Sequence, residues 1–165
     1  MSQTAPMRSH VAGQLTFVAC VADDAHSRTA ARFAALRARN TAGRFELLHV
    51  VQPPEFQHWA AVGELMRAET EAQGQTLLER VGAEVEAFTG VKPTLRLREG
   101  QIGEEILRHL ADDPSINILV VGAAPPEARR GSLISWLAGQ LAGQLRIPLV
   151  IVPGTLSESE LQELT

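Results

Sequence analysis

Five short apolar runs, each separated from the next by a helix-like stretch, constrain this chain more than any other feature. They are LTFVACVA (15–22), RFELLHVV (44–51), KPTLRLR (92–98), INILVVG (116–122) and IPLVIVP (147–153). Runs of four to eight residues rich in Val, Ile, Leu and Phe, apolar at successive positions, are strands buried on both faces. KPTLRLR departs from this: its apolar and basic residues alternate, so it reads as an edge strand with arginines on one face. Between the runs lie helical patterns. Ala30, Phe33, Ala34 and Leu36 fall near a helical spacing, with Asp24 or Ser27 as the cap and Asn40 and Gly43 as the stop. A longer pattern runs from Gly63 to Phe88, weakened by Gly74 and Gly82. Ile102, Ile106, Leu107 and Leu110 form a single stripe, with Glu104 and Glu105 in the favoured first turn. A further helix is expected over 132–146, and Ser157 with Glu160 has the form of a capping box.

Strands alternating with helices imply right-handed βαβ units and a mainly parallel sheet, covered by helices on both faces. The fold class is therefore α/β, a single doubly wound five-stranded sheet. The chain divides into an arm over 1–13 without periodicity, a domain over 14–153, and a tail over 154–165 with a short helix. Such a sheet binds ligands at the carboxyl ends of the strands where the strand order reverses. That directs attention to VADDAHS after the first strand and GAAPPEARRGS after the fourth.

Composition narrows the function. A net charge of −4 lacks the concentrated basic surface of a nucleic-acid binder. No apolar run approaches the ~20 residues of a membrane span, and the first residues lack a signal peptide's apolar core, so a cytoplasmic protein is expected. One cysteine, Cys20, sits in a strand and reads as a buried residue. No His, Cys and carboxylate cluster has zinc-ligand spacing, and no nucleophile elbow is present, so no catalytic residue is assigned. His49 reads as a packed strand residue. Asp23 and Asp24 read as a turn and a helix cap rather than a metal-binding pair. Phe56 and Trp59 are expected to cover the core.

The order VACVADDAHSRTAARFAALRA, FELLHVVQP, REGQIGEEILRHLADDPSINILVVGA and IPLVIVP resembles the universal stress protein family over about residues 14–153. The resemblance implies the strand order 3-2-1-4-5 and a homodimer joined through the fifth strands, here Leu149, Val150, Ile151 and Val152. It also implies a cleft for ATP or AMP with Mg, in which an aspartate ends the first strand, a valine of the second strand offers its backbone, and a glycine loop follows the fourth. On this sequence those positions are Ala22 with Asp23 next to it, Val50, and Gly122. Pro125 stands where the loop's second glycine belongs, and Ser135-Trp136 replaces its last glycine and hydroxyl residue. Proline brings no N–H, and glycine is what lets the backbone approach a phosphate. Arg129, Arg130, Gly131 and Ser132 at the start of the helix expected over 132–146 offer a substitute anion site; the bland alternative is a serine cap beside solvated arginines. Trp136 is expected to cover apolar surface beside this position.

Three functions follow from these residues. The first is a stress-response regulator that acts through protein partners, with weak or absent nucleotide binding. The second is an ATP or AMP binder with a rearranged loop around Arg129–Ser132. The third is a nucleotide hydrolase.

Overall fold

A computed structural model describes residues 14–53, 60–125, 139 and 143–165, with 60 and 61 as backbone only. The elements run β1 (Thr16–Cys20), α1 (Ala25–Asn40), β2 (Arg44–Val51), α2 (Ala60–Thr89), β3 (Thr94–Glu99), α3 (Ile102–Asp112), β4 (Ile118–Ala123), β5 (Leu149–Pro153) and α4 (Glu158–Leu164). Each of the five apolar runs contains one strand. All four strand pairings are parallel and the order is β3-β2-β1-β4-β5, which is the doubly wound α/β sheet expected from the sequence. The alternating run KPTLRLR supplies the edge strand β3.

Successive residues of β1 point to opposite faces and are buried on both. Phe17, Ala19 and Val21 join Phe45 and Leu47 in the layer under α1 and α2, while Val18 and Cys20 join Leu48, Leu119 and Ile106 under α3. The two registers Phe17↔Phe45 and Val18↔Leu119 hold these layers together. The α1 face is built from Ala30, Ala31, Ala34, Ala35 and Ala38, all 0% exposed. Small side chains let the helix backbone lie close to β1 and β4, so strand side chains fill the layer. The side chain of Cys20 is buried, and desolvation pushes its thiol up to about 12. A thiol that stays protonated is no nucleophile.

The helix ends follow the local sequence. Asp24 caps α1 by accepting from the Ser27 N–H at 2.8 Å. Ser157 and Glu160 make the expected capping box of α4. That helix is part of the packed domain, since Leu161 is fully buried and Arg37 donates to the Thr165 carbonyl at 3.0 Å. Gly74 does not interrupt α2. A Cβ there would lie 2.7 Å from Val51 Cγ1 and 2.9 Å from Leu97 Cδ1, so glycine is what lets α2 settle on β2 and β3.

The arginines of β3 meet carboxylates. Arg98 Nε donates to Glu105 Oε2 at 2.9 Å and Arg108 Nη1 to Oε1 at 2.6 Å. The hydrogen bond from Arg98 leads in holding the Glu105 carboxyl below the usual carboxylate range, with Arg108 adding to it. A carboxyl depressed in the folded state stabilises above its unfolded pKa, and that contribution is lost as pH falls through the folded value. Glu105→Gln is therefore expected to unfold below the wild-type temperature at pH 7. The gap should close as the pH falls below about 4, the ordinary carboxylate value. A gap independent of pH, followed by calorimetry, would assign the loss to packing.

Candidate functional site

The strand order reverses between β1 and β4, and the crevice at their carboxyl ends is framed by residues 21–27 and 122–125. From the β1 side, the chain fills this space with its own groups. Ser27 Oγ accepts from the Ala22 N–H at 3.0 Å and donates to the Ala22 carbonyl at 3.1 Å. The backbone of Ala22, the position where the family pattern has an aspartate, is thus occupied by α1.

Asp23 is the nearest carboxylate in sequence, and it turns away from the crevice. Its Oδ1 receives Arg28 at 2.9 Å and Arg80 at 3.0 Å, on the α2 side of the sheet, and its side chain is 71% exposed. Asp24 is committed to the α1 cap and pairs with His26 Nε2 at 3.3 Å. Magnesium requires carboxylate oxygens free to replace its water. Here Asp23 is engaged through Oδ1 by two arginines and Asp24 through Oδ1 by an imidazole and a backbone N–H, and these partners compete with a metal for both carboxylates.

Gly122, one residue before the end of β4, stands where the family pattern has its first glycine, but its bare face is turned to α1. A Cβ built there would collide with the His26 carbonyl oxygen, 2.5 Å from that carbonyl's carbon and 2.9 Å from the Ser27 nitrogen. The absent side chain is used to seat the start of α1. Val50 directs its side chain into the α3 layer, which leaves only its backbone for a ligand. Pro125 is exposed at the end of the described segment. Arg129, Arg130, Gly131, Ser132, Ser135 and Trp136 lie outside the described residues, as do Phe56, Trp59 and the 1–13 arm. The structure thus brings Ala22, Asp23 and Gly122 to one end of the sheet, with Asp23 turned outward.

Of two side chains near this end, sequence reasoning read His49 as a packed strand residue and passed over Arg80. His49 is half-buried, and its Nδ1 lies 2.7 Å from the Val21 carbonyl, which can only accept. The ring proton therefore sits on Nδ1, leaving Nε2 as an acceptor in the neutral ring. Arg80 reaches Asp23 from α2. The available signal was a polar stripe on α2, Gln73, Thr76 and Arg80, at helical spacing around Gly74 and Leu77.

The model of the universal stress protein family matches residues 16–153. Among solved structures, the universal stress protein UspA from Lactobacillus plantarum superposes with a TM-score of 0.66 at 18% identity, covering 86% of this chain and 99% of that one. A universal stress protein family member from Arabidopsis thaliana with AMP bound gives 0.59 at 16% identity, covering 84% and 91%. A universal stress protein in complex with cAMP gives 0.61 at 20% identity, covering 85% and 97%. No curated protein matches by sequence. Among the described residues no helix is long and apolar enough to cross a membrane. With a family model spanning β1 to β5 and the strand order that the resemblance implied, the chain belongs to the universal stress protein family.

Proposed function

We propose that this protein is a homodimeric, cytoplasmic stress regulator that works through protein partners and binds adenine nucleotides weakly or not at all. One observation carries the reading: the carboxylate expected beside a ribose is missing at Ala22, and the next one, Asp23, is held outside the crevice by Arg28 and Arg80. Losing several hydrogen bonds at roughly 1–3 kcal/mol each moves a micromolar affinity toward millimolar. Calorimetry is expected to give a Kd for Mg-ATP weaker than about 100 μM on that affinity scale, with no nucleotide in the purified protein. The AMP and cAMP found in related structures favour a second reading, an ATP or AMP binder whose loop is rebuilt on Arg129–Ser132. Micromolar binding lost in the Arg130→Ala, Ser132→Ala double variant would establish that reading instead. Hydrolysis of the nucleotide, the third reading, would show as phosphate release above background.

The dimer is proposed through β5. This strand pairs with β4 on one side and closes the sheet on the other, and Ile151 there is 44% exposed with Leu149 and Val150 half-buried. An apolar edge strand that no other described strand pairs is an association surface. Light scattering at micromolar concentration should show a dimer for the wild type and a monomer for Ile151→Lys. An unchanged mass in that variant would move the interface elsewhere.

A further inference from the structure

The two ends of the sheet differ in how their charges are matched. In a parallel sheet every strand starts at one pole, and every crossover helix returns the chain to it. Toward the carboxyl pole, Arg28, Arg67, Arg80 and Arg98 each meet a carboxylate. At the amino pole the cations stand alone. Arg39 in the last turn of α1, Arg44 as the first residue of β2 and Lys92 just before β3 are exposed. None of them forms an ion pair among the described residues, and neither does Arg32, which lies over the Phe88 ring near the end of α2 at 5.7 Å. The carboxylates beside them are engaged elsewhere, Glu46 with His109, Asp112 with Arg98 and Asp113 with Ser115, which leaves Glu86 on α2.

The fold holds these cations close together. The register Glu46↔Thr94 runs back to Arg44 and Lys92, side by side at the starts of neighbouring strands. Arg39 Nη1 donates to the Thr89 carbonyl at 3.3 Å, which ties it to the end of α2 just before Lys92. Attraction to the carbonyl end of α2 accounts for Arg39, but not for Arg44, which starts a strand beside a like charge. Like charges on adjacent strands destabilise a sheet, and a carboxylate bound between them relieves the repulsion. An apolar residue stands in the same place. β1 enters the sheet with Leu15, whose carbonyl accepts from the Arg44 N–H at 2.7 Å and whose side chain is 37% exposed.

We propose that the amino pole is where a protein partner docks, through a short acidic segment with an apolar residue between its carboxylates. The carboxylates meet Arg39, Arg44 and Lys92, and the apolar side chain meets Leu15. The proposal rests on the reading that the protein acts through partners, and gives that partner a chemistry. A nucleic-acid duplex fits less well. Its binders make roughly six to ten phosphate contacts, whereas this pole offers a few cations around an apolar side chain. The surface lies at the opposite end of the sheet from the crevice beside Gly122, so the two are tested separately.

The capped peptide EELEE is the probe, titrated into the full chain at low salt and followed by amide NMR. Saturable shifts are expected at Leu15, Arg39, Arg44 and Lys92. The Arg44→Gln, Lys92→Gln double variant changes two exposed side chains, so its Tm should stay in place. Its binding should weaken about fivefold, the scale of two exposed charge pairs. Arg146→Gln removes a cation before β5, away from this group, and should bind like wild type. The peptide EESEE should bind about threefold more weakly than EELEE, the scale of burying part of a leucine. Shifts that do not saturate, unchanged affinity in the double variant, an equal loss in Arg146→Gln, or equal binding of EESEE or of pentathymidylate would each overturn the proposal. Those failures would leave the nucleotide result untouched. Micromolar Mg-ATP binding would overturn the weak-binding reading instead, with the peptide shifts still in place.

Discussion

Gly122→Val is expected to cost the fold about 3 kcal/mol or more, the upper end of overpacking losses, and so to lower Tm by roughly 10 °C for a chain of this size. The cause is a collision with backbone. A side chain at residue 122 would run into the His26 carbonyl and the Ser27 nitrogen, and neither can move without shifting the start of α1. That start is itself fixed, by the Asp24 cap and by the two hydrogen bonds between Ser27 and Ala22. Gly143→Ala is the control, since a Cβ at that position meets nothing within 4 Å. Its Tm should stay close to wild type. A small loss for Gly122→Val in thermal melts would mean that α1 yields readily, and that the crevice can open to admit a ligand.

Glu46→Ala is expected to destabilise by about 2 kcal/mol, because it leaves the buried ring N–H of His109 without its hydrogen-bond partner. His109 Nε2 donates to Glu46 Oε2 at 3.0 Å between β2 and α3, and both side chains are 8% exposed. Arg96 lies 3.7 Å from the other carboxylate oxygen but is half-exposed and can turn to water. Removing both members should cost much less than removing one. The Glu46→Leu, His109→Leu double variant is expected to lie within about 1.5 kcal/mol of wild type, as volume-conserving apolar replacements usually do. Urea unfolding of the wild type, Glu46→Leu, His109→Leu and the double variant closes the cycle and gives the coupling directly. A loss under about 1 kcal/mol for Glu46→Ala, the scale of a solvated surface pair, would show that water reaches this pair.

Neither partner of that pair stood out in the sequence. Glu46 interrupts RFELLHVV at one position, and His109 lies sixty-three residues away on α3. Only the parallel pairing of β1 and β2 and the placement of α3 beneath them bring the two together. The arginines of KPTLRLR show the same limit. Alternation correctly marks an edge strand, and a solvated basic face is the natural reading. The face is instead covered in part by α3, which brings Glu105 to Arg98. Gly74 is the third example. Helix propensity counts it as a weakness, whereas its meaning comes from Val51 and Leu97, which crowd the position from two strands.

What the sequence determined by itself was the class of fold, the order of the strands, the edge position of β3, the Ser157 capping box and the family. These rest on period and on neighbours a few residues apart, and period survives whatever the tertiary details are. The direction of Asp23 was decided only by the tertiary structure. Sequence places that carboxylate at the crevice, one residue past Ala22. Arg28 and Arg80, five and fifty-seven residues away, draw it to the far side. A side chain points to wherever its best charge partner happens to be held, and no local pattern records where a distant helix will set an arginine.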